Sequence, residues 1–434
     1  MRIRVLLALP LLILCSAALA EPQPAPDSLS PSGVEDLVRL ALRDNPELAS
    51  MRAAAQAAAA RPAQARALPD PRFTYGWMGE HLETARGPQS SQFGLSQEFP
   101  FFGKRGLMGQ MAEREAGVSA ERVRAMELAL AAGVRQLAAD IAYLDGAVSI
   151  QSEDRRLLGE IREIANTRYA TGEGRLEDVA RIEVELAENE QELLALHRDR
   201  EVMASELNRL LGRDAVTTVT PLAGAVGPDP SLLAAADSLV ASGGDAPRPE
   251  LRAAETAIAR SEAAARFARR SYFPDFMLGA QYFVVDEGMS PSPEAGTDAW
   301  MVELGVNLPI WFGKLGAGVR EARQMQVESR AALAAERNRV RSEIVAAAAQ
   351  VRRLSEIVAV NRDRLLPQAE LALSSARSSY RAGGIGFLDL LDTERSLIRA
   401  RLTAARARAD LARAAAELAR ATAEPLPQPS GVTP

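Results

Sequence analysis

The chain has 434 residues, with 51 basic and 57 acidic side chains and a formal net charge of −6. That balance argues against nucleic acid as a partner, and a single cysteine, Cys15, excludes an internal disulfide framework. Ala, Arg, Glu and Leu dominate, which suits long helices.

Arg2 and Arg4 precede the apolar run VLLALPLLIL, and Ala18-Leu19-Ala20 supplies a small-x-small cleavage site. Residues 1–20 therefore read as a secretory signal peptide. Leu14 stands where a lipobox wants a small residue, so acylation of Cys15 is not expected. Beyond the signal there is no apolar run of about 18 residues, hence no expected transmembrane helix. Residues 21–32 are Pro- and Ser-rich and are expected to form a flexible tail.

From Pro46 to about Ala67 the chain is Ala-rich and helical, with Pro at a tolerated first position. Phe73, Tyr75 and Trp77 then alternate with Thr74, Gly76 and Met78. After the turn-rich stretch ETARGPQSS, Phe93, Leu95 and Phe99 are spaced by Gln92, Gly94, Ser96 and Glu98. Strict alternation predicts strands, and the pair predicts a β-hairpin over 72–99. A joint follows at Pro100, Gly103 and Lys104, and then a helical stretch from about 106 to 168. It ends at TRYATGEG, where Gly172 and Gly174 permit a reversal into a return helix over about 176–211. Residues 33–211 thus form one unit, and 212–247 read as a Pro/Gly-rich linker with a short helix near 232–239.

Residues 248–424 repeat the same order. Arg248-Pro249-Glu250-Leu251 follows Asn45-Pro46-Glu47-Leu48 at an offset of 203, Pro274 follows Pro71 at 203, Pro309 follows Pro100 at 209, and Lys314 follows Lys104 at 210. Tyr380, Gly383 and Asp389 follow Tyr169, Gly172 and Asp178 at 211. Landmarks that keep their order with so small a drift mark an internal duplication, with a unit far longer than a solenoid repeat. The second hairpin is expected over 274–308, its joint at Pro309, Gly313 and Lys314, a long helix over about 317–379, a tip at Gly383, Gly384 and Gly386, and a return helix over about 387–423. Residues 425–434 read as a second flexible tail. Two short helices pair with each long one by length, which predicts two double-helical rods.

No catalytic constellation or cofactor motif is present, so an enzyme is not expected. His81, near Met78 and Glu80, reads as a loop residue and His197 as a surface one; no metal site is expected. The four strands on their own fit either a soluble sandwich or a membrane span. The chain offers no other β-structure to pack them, and open sheet edges cannot face lipid. Pooling strands from two or three copies gives 8 or 12, both allowed barrel sizes. Apolar faces would then meet lipid, and Gln92, Ser96, Glu98, Glu303 and Asn307 a wet lumen. Phe101, Phe102, Trp311 and Phe312 at the joints suit a membrane rim.

The duplicated plan, the two joints PFFGK and PIWFGK, and the tips YATGEGRLEDV and YRAGGIGFLDLLD resemble the TolC-like outer membrane efflux proteins, over about Val34 to Ala423. That resemblance implies a mainly α chain with a membrane β-barrel: a homotrimer, four strands per copy in a shared 12-stranded barrel, and long helical hairpins forming an α-barrel in the periplasm. It also implies a periplasmic adaptor and an inner-membrane pump as partners, and outer membrane lipid around the barrel. LPDPRFTYGWM and QEFPFFGK are most like members serving heavy-metal or cation efflux. By the same likeness, Asp389, Asp392 and the first-half counterpart Asp178 are expected to line a periplasmic constriction, and the tip glycines to receive the adaptor. Asp389 and Asp392 share one helical face; the bland reading is a solvated helix start favoured by the dipole. The rival readings are an exit duct for type I protein secretion, a periplasmic adaptor and a structural coiled coil.

Overall fold

A computed structural model describes residues 33–84, 86–220, 230–241, 248–287, 293 and 295–427. The signal peptide, the tail over 21–32 and most of the tail beyond 424 lie outside them.

The first half opens with α1 (Val34–Asp44) and α2 (Pro46–Arg66). Asn45 separates them: its backbone is extended, its side chain accepts the Leu48 N–H at 2.8 Å, and its amide donates to the Leu210 carbonyl at 3.0 Å. It caps α2 and ties the start of the half to its end. Strands β1 (Arg72–Thr84) and β2 (Gly87–Phe99) follow, then α3 (Lys104–Ala170) and α4 (Leu176–Leu210). After α5 (Pro230–Ala241) the second half runs through α6 (Pro249–Arg270), β3 (Phe276–Val285), β4 (Ala299–Val306), α7 (Phe312–Val360), α8 (Leu366–Arg381) and α9 (Phe387–Ala421). The 67 residues of α3 make a rod of about 100 Å.

Three local features depart from the sequence reading. First, Val34–Asp44 is a helix of its own, packing Leu37, Val38 and Ala41 inward. Second, ETARGPQSS is mostly strand: Glu83 and Thr84 pair with Pro88 and Gly87, so strand pairing runs on to Thr84 and Gly87. Cross-strand pairing overrides the turn propensity of Gly and Ser there. Third, the second long helix is broken by one π-helical turn, Asn361–Leu365. Pro367, in the first turn of α8, has no N–H to give the carbonyl four residues back, so the hydrogen-bond ladder slips. α3 has no proline and runs through.

α2 and α4 lie end to end along α3. Each half has an equivalent apolar core: Leu37, Leu48, Val134, Ile141 and Leu207 in the first, Leu251, Ile344, Val351, Leu411 and Leu418 in the second. The halves pack side by side, α3 against α6 and α9. Arg252–Glu121 at 2.9 Å, Arg260–Glu115 at 3.0 Å and Arg401–Glu153 at 3.0 Å cross that seam. The strands form one antiparallel sheet in the order β1-β2-β3-β4. Among the described residues β1 and β4 have no outer partner, so the sheet is open at both sides.

Arg248 stands where the first half has Asn45, and its side chain is fully buried. It reaches Glu250 and Glu343 at 2.6 Å each, and Arg420 also contacts Glu343 at 3.1 Å. Burial pushes Glu343 up, but Arg248, Arg420 and Arg339 outweigh it and hold the carboxyl below its usual range. A lowered carboxyl stabilises the fold above the ordinary glutamate range, and that contribution fades as pH falls through the depressed value. Arg248→Met is expected to cost about 1.5–3 kcal/mol, because the half-buried Glu250 loses its direct cation and Glu343 keeps only Arg420 and Arg339. Thermal unfolding in detergent at pH 7 and pH 4 checks this: the deficit should be larger at pH 7.

Candidate functional site

The sheet has two unlike faces. Phe73, Tyr75, Trp77, Leu95, Val302 and Leu304 lie on one and are all exposed. An apolar patch of that extent is rare on a solvated monomer. The pairing register sorts its aromatics into levels. Tyr75, Phe93, Tyr282 and Trp300 fall in one row across all four strands. Phe99 pairs with Phe276 near the helical end, where Phe101 stacks on Phe273 with centroids 4.6 Å apart. The six residue steps from Phe93 to Phe99 span about 20 Å, close to the roughly 25 Å band of a membrane barrel with its aromatic girdles. The opposite face carries Thr74, Gln92, Ser96, Gln281 and Glu303, with the Gln281 amide donating to Glu303 at 3.3 Å. A polar cleft lined by Asp70, Arg72, Glu98, Asp275 and Asn307 lies at its base.

The two joints, alike in sequence, differ in structure. After Pro100, the Phe101 N–H donates to Asp275 Oδ1 at 2.7 Å. Lys104 is buried, and its ammonium donates to the same oxygen at 2.7 Å and to the Phe273 carbonyl at 2.9 Å. Gly103 has φ +82°, and a Cβ there would run into the Arg270 guanidinium, which donates to the Phe102 carbonyl. The first joint is therefore a lock between the halves. Asp275 and Arg270 complete it, and no motif in the sequence singles them out. In the second joint, Pro309 leads to Trp311 and Phe312, which are exposed; Gly313 lies inside the first turn of α7 with open space about it, and Lys314 is exposed. Its partners, by analogy with the first, would come from beyond the chain's own edge.

At the other end the two tips sit together. Gly172 and Gly383 have φ +78° and +74° and open space around them. They close the turns by donating to the Tyr169 and Tyr380 carbonyls, both at 3.1 Å. Gly174 lies against the Tyr169 backbone, Gly384 donates to the Ser379 carbonyl at 2.8 Å, and Gly386 precedes α9. Tyr380 is buried beneath Phe387 with the Arg168 guanidinium 5.1 Å from its ring, so α3 of one half is pinned to α8 of the other.

Asp389 and Asp392 are exposed on the first turns of α9, and Asp178 is half-buried at the start of α4. Asp389 also caps its helix, accepting the Gly386 N–H at 3.2 Å. The bland reading is thus partly realised for Asp389; Asp392 makes no such cap. His197 is exposed, and the side chain of His81 lies outside the described residues. Among the described residues no group of three or more His, Cys, Asp or Glu could hold a metal ion, and no helix is long and apolar enough to cross a membrane.

Residues 37–213 and 245–424 match the model of the family described as outer membrane efflux protein. The cation efflux system protein CusC of Escherichia coli (strain K12) is 26% identical over 157 residues, which cover 36% of this chain and only 34% of the relative. The fold matches the outer membrane protein VceC from Vibrio cholerae with a TM-score of 0.73 at 20% identity, over 90% of this chain and 95% of that one. A crystal structure of CusC gives 0.75 at 19% identity, over 93% and 95%. At these identities the structural likeness speaks for the fold.

The joints yield a paired prediction. Gly103→Ala forces a left-handed backbone and a collision with Arg270, and is expected to cost at least about 1–2 kcal/mol. Gly313→Ala, in an open helical position, is expected to be neutral or to stabilise by about 0.4–1 kcal/mol. Thermal unfolding of the two variants in parallel separates a lock from a mere turn.

Proposed function

The chain belongs to the outer membrane efflux protein family, and on that premise we propose that it is the outer-membrane exit duct of a tripartite efflux system. Three copies pool their sheets into a 12-stranded barrel, and their helices continue it as a tube through the periplasm. Substrates delivered by an inner-membrane pump through a periplasmic adaptor pass outward without chemistry. Heavy-metal cations lead as cargo, because the relative CusC is named a cation efflux protein; drugs are the second class. The observation that carries the reading is the open four-stranded sheet, with one apolar, aromatic-banded face and two bare edges. Lipid forbids such edges unless another chain covers them.

The tip glycines present exposed backbone at the periplasmic end, which suits docking of an adaptor hairpin. Asp389, Asp392 and Asp178 form the charged constriction: in a trimer each supplies a ring of three carboxylates, which favours cations.

The duplication supports one register for how one copy meets the next. Leu95 of β2 pairs with Ala280 of β3. Moving the first on by the offset of 209 and the second back by 203 places Leu304 of one copy opposite Trp77 of its neighbour. The same shift sets Val306 against Tyr75 and Leu308 against Phe73, all on the apolar face. Leu304→Cys with Trp77→Cys should oxidise to a covalent trimer on a denaturing gel. Leu304→Cys with Phe73→Cys, four residues out of register, should not, and the reverse result overturns the pairing. A second test addresses the constriction: Asp389→Ala with Asp392→Ala should change single-channel conductance in planar bilayers and weaken block by divalent cations. Unchanged values would remove these residues from the pore.

A further inference from the structure

Between the tips and the middle of the rods, four polar side chains meet where the helices otherwise pack apolar residues. Asp154 and Gln151 come from α3, Asn189 from α4 and Glu394 from α9, and each is more than nine-tenths buried. Glu394 holds a position on the apolar stripe of α9, between Leu390, Leu391, Leu397 and Ile398. The Asn189 amide donates to Asp154 Oδ2 at 2.9 Å, to Gln151 Oε1 at 3.2 Å and to the Gln151 carbonyl at 3.1 Å. Its two hydrogens are thereby committed. The other Asp154 oxygen, Oδ1, and Glu394 Oε1 are buried without a partner.

Asp154 and Glu394 are buried within hydrogen-bonding reach of each other, each with one orphaned oxygen, and two such carboxylates repel when both are charged. One proton removes the conflict, because it converts an acceptor into a donor aimed at the other carboxylate. We propose that Asp154 and Glu394 form a one-proton site that fastens α9 of the second half to α3 of the first, and that loss of the proton loosens this end of α9.

The surroundings agree. Burial, and then contact with Asp154, raise the Glu394 carboxyl to about 9, while Arg377 of α8 acts in the opposite sense and is outweighed. The other nearby charges are paired: Arg395 with Glu185 of α4, and Arg401 with Glu153 of α3 and Glu370 of α8. Arg155–Glu190 and Arg162–Glu183 join α3 to α4 on the outside. A raised carboxyl means that the packed form binds one proton more than a form with Glu394 in water, across the window from 4.5 to about 9. Opening should therefore gain about tenfold per pH unit in that window.

The test needs neither cargo nor partners, so it stands or falls separately from the efflux reading. Infrared spectra of the whole protein in detergent should show a protonated-carboxyl stretch at pH 7 that disappears above pH 9 and is missing from Glu394→Gln. Amide exchange over residues 390–398, divided by the rate for an unstructured peptide, should rise roughly tenfold per pH unit from 6 to 9 in the native protein. It should be flat in Glu394→Gln. Asp154→Asn removes the like charge and should move the transition to lower pH; it also serves if the glutamine variant does not assemble. A missing stretch at pH 7, equal slopes in native protein and variant, or an unmoved transition in Asp154→Asn overturns the site. So does protection that follows added magnesium or calcium instead of pH, which would make the occupant a metal cation.

Discussion

Every backbone amide and carbonyl in hydrocarbon must find a partner within protein, and this constraint orders the molecule. Four strands in one antiparallel sheet satisfy their inner edges and, among the described residues, leave β1 and β4 bare. The apolar face forbids a life in water, and the bare edges forbid a life alone in lipid. The long rods below the sheet face a milder version of it: each half buries a core of its own, a third apolar cluster joins Leu158 and Ile161 of the first half to Tyr380 and Leu391 of the second, and ion pairs cross the seam.

Duplication is the economical answer to such a constraint. In the proposed trimer, the contacts between the first and second halves would be a specimen of those between chains, because each half would meet the same shape on either side. The joints make this concrete. Lys104, Asp275, Phe101 and Phe273 are engaged inside the chain, while Trp311, Phe312 and Lys314 stand exposed at its margin. The equivalence is imperfect, since Arg72 occupies the position that corresponds to Asp275, so the lock between chains cannot copy the one within.

Much of this was legible in the residues. Period two over Phe93–Phe99 and Trp300–Leu308, the repeated Pro and Gly landmarks and the Tyr-x-x-Gly tips lead to four strands, two long rods and two reversals without any coordinates. What escaped depended on neighbours distant in sequence. ETARGPQSS reads as a loop because Gly, Pro and Ser favour turns locally, yet β1 and β3 hold it as strand. Arg248 looks like any exposed arginine before a helix until Glu343 is brought to it from 95 residues away. Glu394 was readable in part, since a carboxylate on a leucine stripe is anomalous, but its partner Asp154 is 240 positions earlier. Of the site residues named from sequence, the glycine turns, the first joint and the helix-capping Asp389 have a visible physical reason within the chain; Asp392 and Asp178 do not.

The single π-helical turn ahead of Pro367 has a mechanical meaning. α3 is continuous for 67 residues, whereas its counterpart is interrupted at Asn361–Leu365. A ring built from three chains would then alternate stiff staves with jointed ones. Were such a tube to dilate at its inner end, flexure would concentrate at three points instead of six.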